Sequence, residues 1–184
     1  MIIIIFGKAG SGKTTLAQMF SMQLDADIMP IASSLKEVAT NSFNWDGKKD
    51  ARGRKLLQDI GDVGRCYNPD IWLDAWRLEA WGYDCAIVDD LRFVSMDDSD
   101  LCGIRELLYF TSNFPGQTIF IKITGRTTYS EDDKAAQHST ERDIPDEAFD
   151  HIIDNSGTKE DLFNAMMEIF NNEKERFIKE IGES

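Results

Sequence analysis

Apolar residues in this chain alternate between two arrangements, short unbroken runs and stripes recurring every three or four positions. Ile2 to Phe6 is a continuous apolar, β-branched run, the pattern of a strand covered on both faces of a parallel sheet. It stops at Gly7. From Lys13 onward Leu16, Phe20 and Leu24 recur one helical turn apart, so the opening segment predicts strand, glycine loop and helix. Ala26 to Ala32 is a candidate short strand. Ser34 with Glu37 three residues later forms a capping-box pattern that opens a helix through about Ala39. Trp45 to Gly53 is polar and predicts a loop, and Leu56, Leu57 and Ile60 mark a helix ending near Gly61. Asn68-Pro69-Asp70 reads as the next helix start, with Asn as cap, Pro at the first position and an acid in the first turn. Gly82 is its expected stop.

The second half repeats the alternation. Tyr83 to Val88 and Thr118 to Thr124 are buried-strand candidates, Leu101, Ile104 and Leu108 predict a helix between them, and Asp150 to Asp154 is a further short strand. Thr158 opens a C-terminal helix whose Leu162, Met166, Phe170, Phe177 and Ile181 face the sheet. Gly125 to Glu147 carries many charges and few apolar residues, and is expected to form a lid. Strands alternating with helices predict an α/β fold with a parallel sheet.

Composition narrows this picture. A chain of 184 residues with 42% hydrophobic residues buries one sizeable core, so residues 1–184 are expected to form one domain with inserted segments. The formal net charge of −13 argues against long nucleic acid as a partner, because a polyanion needs neutralising Lys and Arg. It leaves room for a nucleotide, since a few local donors and a helix N-terminus can hold phosphate in an acidic protein. Cys66, Cys85 and Cys102 have no short paired spacing and are expected to be reduced core thiols rather than disulfides or zinc ligands. The apolar start lacks a basic leader region and falls far short of the ~20 residues of a membrane span. A cytoplasmic chain without membrane contact is expected.

One motif carries chemistry by itself. Gly7-Lys8-Ala9-Gly10-Ser11-Gly12-Lys13-Thr14 matches G-x-x-x-x-G-K-[ST] in full and lies between a predicted strand and a predicted helix, as a phosphate-binding loop requires. Glycines let the backbone N–H groups curl around the β-phosphate, Lys13 reaches the β/γ oxygens, and Thr14 can ligate Mg²⁺. Thr15 adds a hydroxyl near the α-phosphate. A chance match in a chain of this length has a probability on the order of 1%. Asp89-Asp90-Leu91-Arg92 follows a predicted strand, at the edge where open α/β sheets bind ligands. One carboxylate there could hold Mg²⁺ through water, and Arg92 could clamp a phosphate.

Further segments, taken in order, resemble the bacteriophage-type deoxynucleoside monophosphate kinases, a branch of the P-loop kinases. They are the phosphate loop, Arg54-Lys55-Leu56-Leu57-Gln58-Asp59-Ile60-Gly61 continuing to Gly64-Arg65, Asn68-Pro69-Asp70-Ile71-Trp72, and Asp90-Leu91-Arg92-Phe93. His138-Ser139-Thr140-Glu141 and Phe149-Asp150-His151-Ile152-Ile153-Asp154-Asn155 complete the set. The resemblance implies a three-layer sandwich of about five parallel strands flanked by helices. A substrate-binding helical region would span 33–82 and a lid 125–147. It implies transfer of the γ-phosphoryl group of ATP, with Mg²⁺, to a (deoxy)nucleoside monophosphate, in a bacterial or phage-infected cytoplasm, by a monomer or homodimer. Carried over by position, Arg54, Gln58, Gly61, Arg65 and Trp72 would meet the acceptor nucleotide. Asp90 and Arg92 would face the metal and the acceptor phosphate, and Arg126 and Arg142 would contact ATP phosphates. His138 is expected to be structural. The segment before the Gln58 helix is shorter than in the longer phage enzymes, which leaves base and sugar preference open. The rival expectations are a P-loop kinase for another small acceptor, such as dephospho-coenzyme A, phosphomevalonate or a sugar acid, and a slow ATPase switch module.

Overall fold

A computed structural model describes residues 1–91, 105–126 and 144–176. Five strands form one sheet: β1 (Ile2–Phe6), β2 (Asp27–Ile28), β3 (Ala86–Val88), β4 (Thr118–Thr124) and β5 (His151–Asp154). They are hydrogen-bonded in the order β2-β3-β1-β4-β5, and every pair is parallel. The helices are α1 (Lys13–Leu24), α2 (Ala32–Phe43), α3 (Ala51–Tyr67), α4 (Ile71–Glu79), α5 (Arg105–Asn113) and α6 (Lys159–Asn172), and Asp146–Ala148 makes one 3₁₀ turn. The α/β architecture and the five parallel strands are those expected. By its internal packing the chain divides into two compact units, Met1–Ile28 with Tyr83–Ser184, and Met29–Gly82.

The sheet unit is organised by the two-residue period of its strands. Side chains alternate faces along a strand, and Ile3, Ile5, Cys85, Ile87, Ile119, Ile121, Ile123 and Ile153, all odd-numbered, form one core with Leu16 and Phe20 of α1 and Leu162, Met166 and Ile169 of α6. The even-numbered Ile2, Ile4, Phe6, Val88 and Phe120 are buried too, so both faces of the central strands are covered, and β1 reads as an unbroken apolar run; the outer strands β2 and β5 are only partly buried. The β1–α1–β2 and β3–α5–β4 crossovers run in opposite directions across the sheet, and the right-handed rule therefore sends α1 and α5 to opposite faces. Helix α6 opens with a full capping box between Thr158 and Asp161. Hydrogen bonds from the Thr158 hydroxyl and then its main-chain N–H hold the Asp161 carboxyl below its ordinary value of 3.8. Beyond its other end Glu173 shares a hydrogen bond with His151 at 2.7 Å and accepts one from Arg176 at 2.9 Å. Arg176 in turn donates to the carbonyls of Gly116 and Thr118, which ties the chain to the N-terminal edge of the sheet.

Several expected boundaries move. Helix α2 starts two residues before Ser34 and has no side-chain cap; the turn in which the Ser33 N–H donates to the Pro30 carbonyl already starts the helical path, so the Ser34–Glu37 box is not used. The loop after Trp45 is shorter than predicted, because Asp50 caps α3 by accepting from the Gly53 N–H at 2.8 Å. That helix does not stop at Gly61 but runs 17 residues to Tyr67. A helical glycine costs about 1 kcal/mol relative to alanine, and packing outweighs it here: the Trp72 ring lies where a Cβ on Gly64 would come within 2.6 Å of it. The Trp72 indole N–H also donates to the Gly61 carbonyl at 3.3 Å. Asn68 is not the cap of α4; its side chain accepts from the Asp70 N–H in the turn before it, and Asp70 takes the cap position. Strands β2 and β3 are shorter than the runs 26–32 and 83–88. Cys85 is buried as expected, but Cys66 is exposed on α3. Arg92, His138, Arg142, Leu101, Ile104, Cys102, Phe177, Ile181 and most of the expected lid lie outside the described residues.

In the helical unit α2, α3 and α4 pack against one another pairwise. Trp76 is buried and its indole N–H donates to the Met29 carbonyl at 2.8 Å. The described helices include none long and apolar enough to cross a membrane.

This packing predicts a contrast within α1. Phe20→Ala, at 0% exposure, should lower unfolding free energy by about 3–5 kcal/mol, whereas Met22→Ala, at 87% exposure, should stay within about 0.5 kcal/mol of the parent. Urea titration of both variants checks this, and equal losses would contradict the assignment of the core.

Candidate phosphate-binding site

All five strands point their C-terminal ends to one edge of the sheet. From there β1 leads off towards β2 and β4 towards β5, so the chain diverges at that edge, the place where open α/β sheets accept ligands. The turn after β1 is Gly7 to Gly12. Gly10 and Gly12 have φ of 79° and 103°, and glycine is the residue that reaches this region without strain. Left-handed residues alternating with ordinary ones make successive N–H groups converge into an anion-binding concavity. The Ser11 N–H donates to the Lys8 carbonyl at 3.1 Å and closes the bend. Helix α1 starts directly from it, with no side chain capping its first amides.

Lys13 folds back onto this bend. Its Nζ donates to the Gly7 carbonyl at 2.6 Å and to the Lys8 carbonyl at 2.9 Å. The ammonium is thereby held at the loop by the loop's own carbonyls. Ser11 is buried, and its hydroxyl has no hydrogen-bond partner among the described residues.

The next residue of α1 meets the carboxylates after β3. Thr14 Oγ1 donates to Asp89 Oδ2 at 2.8 Å. Asp90 was the carboxylate expected at the metal; the structure brings Asp89 to the threonine, which makes it a second candidate. The two-residue period gives the reason: Cys85 and Ile87 face α1 in the odd-numbered core, and Asp89 continues that face, whereas Asp90 continues the face of Ala86 and Val88. A hydroxyl and a carboxylate are hard oxygen donors that suit Mg²⁺, which takes one or two carboxylates beside waters and substrate phosphates. Among the described residues no group of three or more His, Cys, Asp or Glu could cage a metal by itself. The Thr14–Asp89 pair therefore fits Mg²⁺ arriving with a phosphate.

Two residues without an assigned role from sequence stand at the same edge. Asn155, 6% exposed, donates its side-chain amide to the Ser11 carbonyl at 2.8 Å. Lys122 is buried in β4, where its Nζ donates to the Ile144 carbonyl at 3.0 Å and to Asp146 at 2.8 Å, 5.6 Å from the Phe149 ring centroid. A charged residue inside an otherwise apolar run was the available signal for Lys122, and the Asn-Ser-Gly turn after a strand was the signal for Asn155. Arg126, after β4, donates to the Gly157 carbonyl.

The remaining expected residues belong to the helical unit. Because α3 is continuous, Arg54, Gln58, Gly61 and Arg65 are spaced four, three and four apart and share a stripe about 60° wide. Arg54 Nε donates to the Lys49 carbonyl at 2.9 Å, and Arg65 pairs with Asp62 at 2.7 Å. The Arg65 guanidinium lies over Gly61, where a Cβ would stand 2.9 Å from its Nη2.

No protein-family model and no curated protein matches this chain. Solved structures do match. TT1252 from Thermus thermophilus is 15% identical, with a TM-score of 0.53 over 94% of this chain and 97% of its own. A gluconokinase from Sinorhizobium meliloti 1021 is 16% identical over 95% of each chain, with a TM-score of 0.47. A match to a protein of Chloroflexus aurantiacus j-10-fl, at 18% identity and a TM-score of 0.40, spans 67% of this chain and 59% of that one. At these identities the likeness is one of fold, and the one to TT1252 extends over nearly the whole of both chains.

Proposed function

We propose that this chain is a phosphate-loop kinase that moves the γ-phosphoryl group of ATP to a small phosphorylated acceptor, a nucleoside or deoxynucleoside monophosphate. The observation that carries the reading is the join of two parts distant in sequence: the Gly7–Thr14 loop and the Thr14–Asp89 hydrogen bond at its end. A glycine turn that merely reverses the chain has no need of a lysine folded over it and a carboxylate at its final hydroxyl.

In the proposed mechanism the loop amides other than the Ser11 N–H, which closes the bend, bind the β-phosphate, and Lys13 exchanges its carbonyl partners for phosphate oxygens. Such donors act without reorganising when charge builds up on the transferring group. Thr14, with Asp89 behind it, would hold Mg²⁺, which would supply charge neutralisation to the phosphates. Arg92 and Arg126 would supply positive charge to acceptor and donor phosphates. The acceptor is already an anion, so the reaction requires no general base. Arg54, Gln58 and Arg65 on the shared face of α3 would provide bidentate donors to a phosphate and a base, and the Trp72 ring, already stacked on Gly64, would stiffen that face.

ADP release measured over a panel of nucleoside and deoxynucleoside monophosphates, dephospho-coenzyme A, phosphomevalonate and sugar acids tests the proposal. One or more monophosphates should stimulate release; stimulation only by another acceptor, or hydrolysis indifferent to all of them, would exclude it. Lys13→Ala should reduce turnover by about 10²–10³ with the fold retained by circular dichroism. Asp89→Asn should raise the Mg²⁺ concentration for half-maximal rate by about 10–100-fold. A larger rise for Asp90→Asn than for Asp89→Asn would reverse the metal assignment.

A further inference from the structure

Asn155 is the first residue after β5, and it makes two bonds of different kinds. Its main-chain N–H donates to the Thr124 carbonyl at 3.0 Å, one step beyond the Thr124–Asp154 register of the β4–β5 ladder. That bond fixes where the residue stands. Its side-chain Nδ2 then reaches the Ser11 carbonyl at 2.8 Å, across 144 residues of sequence. The amide fills the space beside Gly12, where a Cβ would lie 2.5 Å from Nδ2. Glycine at 12 is thus required twice, by its φ of 103° and by this side chain.

The geometry of a peptide bond gives the contact its consequence. The unit is planar and trans, as all described peptides are here, so the carbonyl of one residue and the N–H of the next point in opposite directions. Holding the Ser11 carbonyl outward, towards Asn155, turns the Gly12 N–H inward, towards the concavity formed by the loop. Without the hold, the peptide before a glycine can rotate, since paired turn types differ by a rotation of this one plane and glycine tolerates both. The rotated plane would present a carbonyl oxygen to an anion.

We propose that Asn155 is a positioning residue for phosphate binding: it locks the Ser11–Gly12 peptide plane so that the Gly12 N–H is aimed at an oxygen of the bound polyphosphate. The inference rests on the reading of Gly7–Thr14 as the ATP site. It adds a residue from the far end of the chain to that site without placing it in contact with the ligand. Asparagine suits the task because its NH₂ donates. An ionised aspartate would set an oxygen against the Ser11 oxygen and favour the rotated plane.

The full-length chain and its Asn155→Ala and Asn155→Asp variants test this, by calorimetric titration with ATP and, separately, with inorganic tripolyphosphate, at a temperature where each variant is folded. Asn155→Ala should bind both probes about tenfold more weakly, the loss that goes with one oriented hydrogen bond. Asn155→Asp should bind more weakly still at about pH 8 and recover towards the parent, measured at the same pH, as the carboxyl protonates near or below about pH 5 and again donates. A role confined to stability would lower the melting temperature of the free variants and leave both dissociation constants at the parent value; that result overturns the proposal. If the parent itself binds neither probe, the ATP-site reading fails, a different outcome from loss of the Asn155 role alone.

Discussion

An all-parallel sheet has to be covered on both faces, and every strand in it ends on the same edge. These two constraints govern the rest of the sheet unit. The first requires that the central strands be apolar on both faces, and β1 meets it with Ile2 to Phe6, all buried. The second leaves one edge where the chain turns five times, and there the backbone groups no longer needed by the sheet become available to a ligand. The order β2-β3-β1-β4-β5 places the glycine turn on the central strand, with the turns of β3 on one side and β4 and β5 on the other.

What gathers at that edge comes from distant parts of the chain. Thr14 at the start of α1 meets Asp89 after β3, Arg126 after β4 bonds to Gly157 after β5, and Asn155 reaches Ser11. The first two contacts join neighbouring strands, whose ends lie about 4.8 Å apart, and the third reaches from β5 to the loop after β1 past the intervening β4. A loop that must converge several amides on one point gains from such neighbours, since the entropy of ordering it is met by the fold before a ligand arrives. The buried Lys122 belongs to the same economy of placement. Its ammonium is satisfied by Ile144 and Asp146, which anchors the segment that leads into β5.

Much of this was legible in the sequence. The Gly7–Thr14 turn and its flanking strand and helix were fixed by local pattern, because a glycine turn between an apolar run and a helical stripe has few other solutions. The extent of β4 was read to the residue, and the cap of α6 at Thr158 was visible as a polar side chain just before an apolar stripe. Helix α3 was not legible past Gly61. Nothing local outweighs glycines at 61 and 64 in a helix; the packing of Trp72 does, and that ring comes from the next helix. Its continuity is what aligns Arg54, Gln58, Gly61 and Arg65. The same limit applies to Ser34, a good cap in isolation that the turn at Pro30 supersedes.

By itself, the amino-acid sequence determined the alternation of strands and helices, the burial of the central strands and the place of the glycine loop, all of which depend on side-chain type and spacing over a few residues. Only the tertiary structure decided that Asp89 meets Thr14, that Cys66 lies in solvent, and that Asn155 holds the Ser11 carbonyl. Those outcomes depend on which face a residue presents and which strand lies beside it. Strand order and register bring together residues more than a hundred positions apart, and no pattern within a short window carries that information.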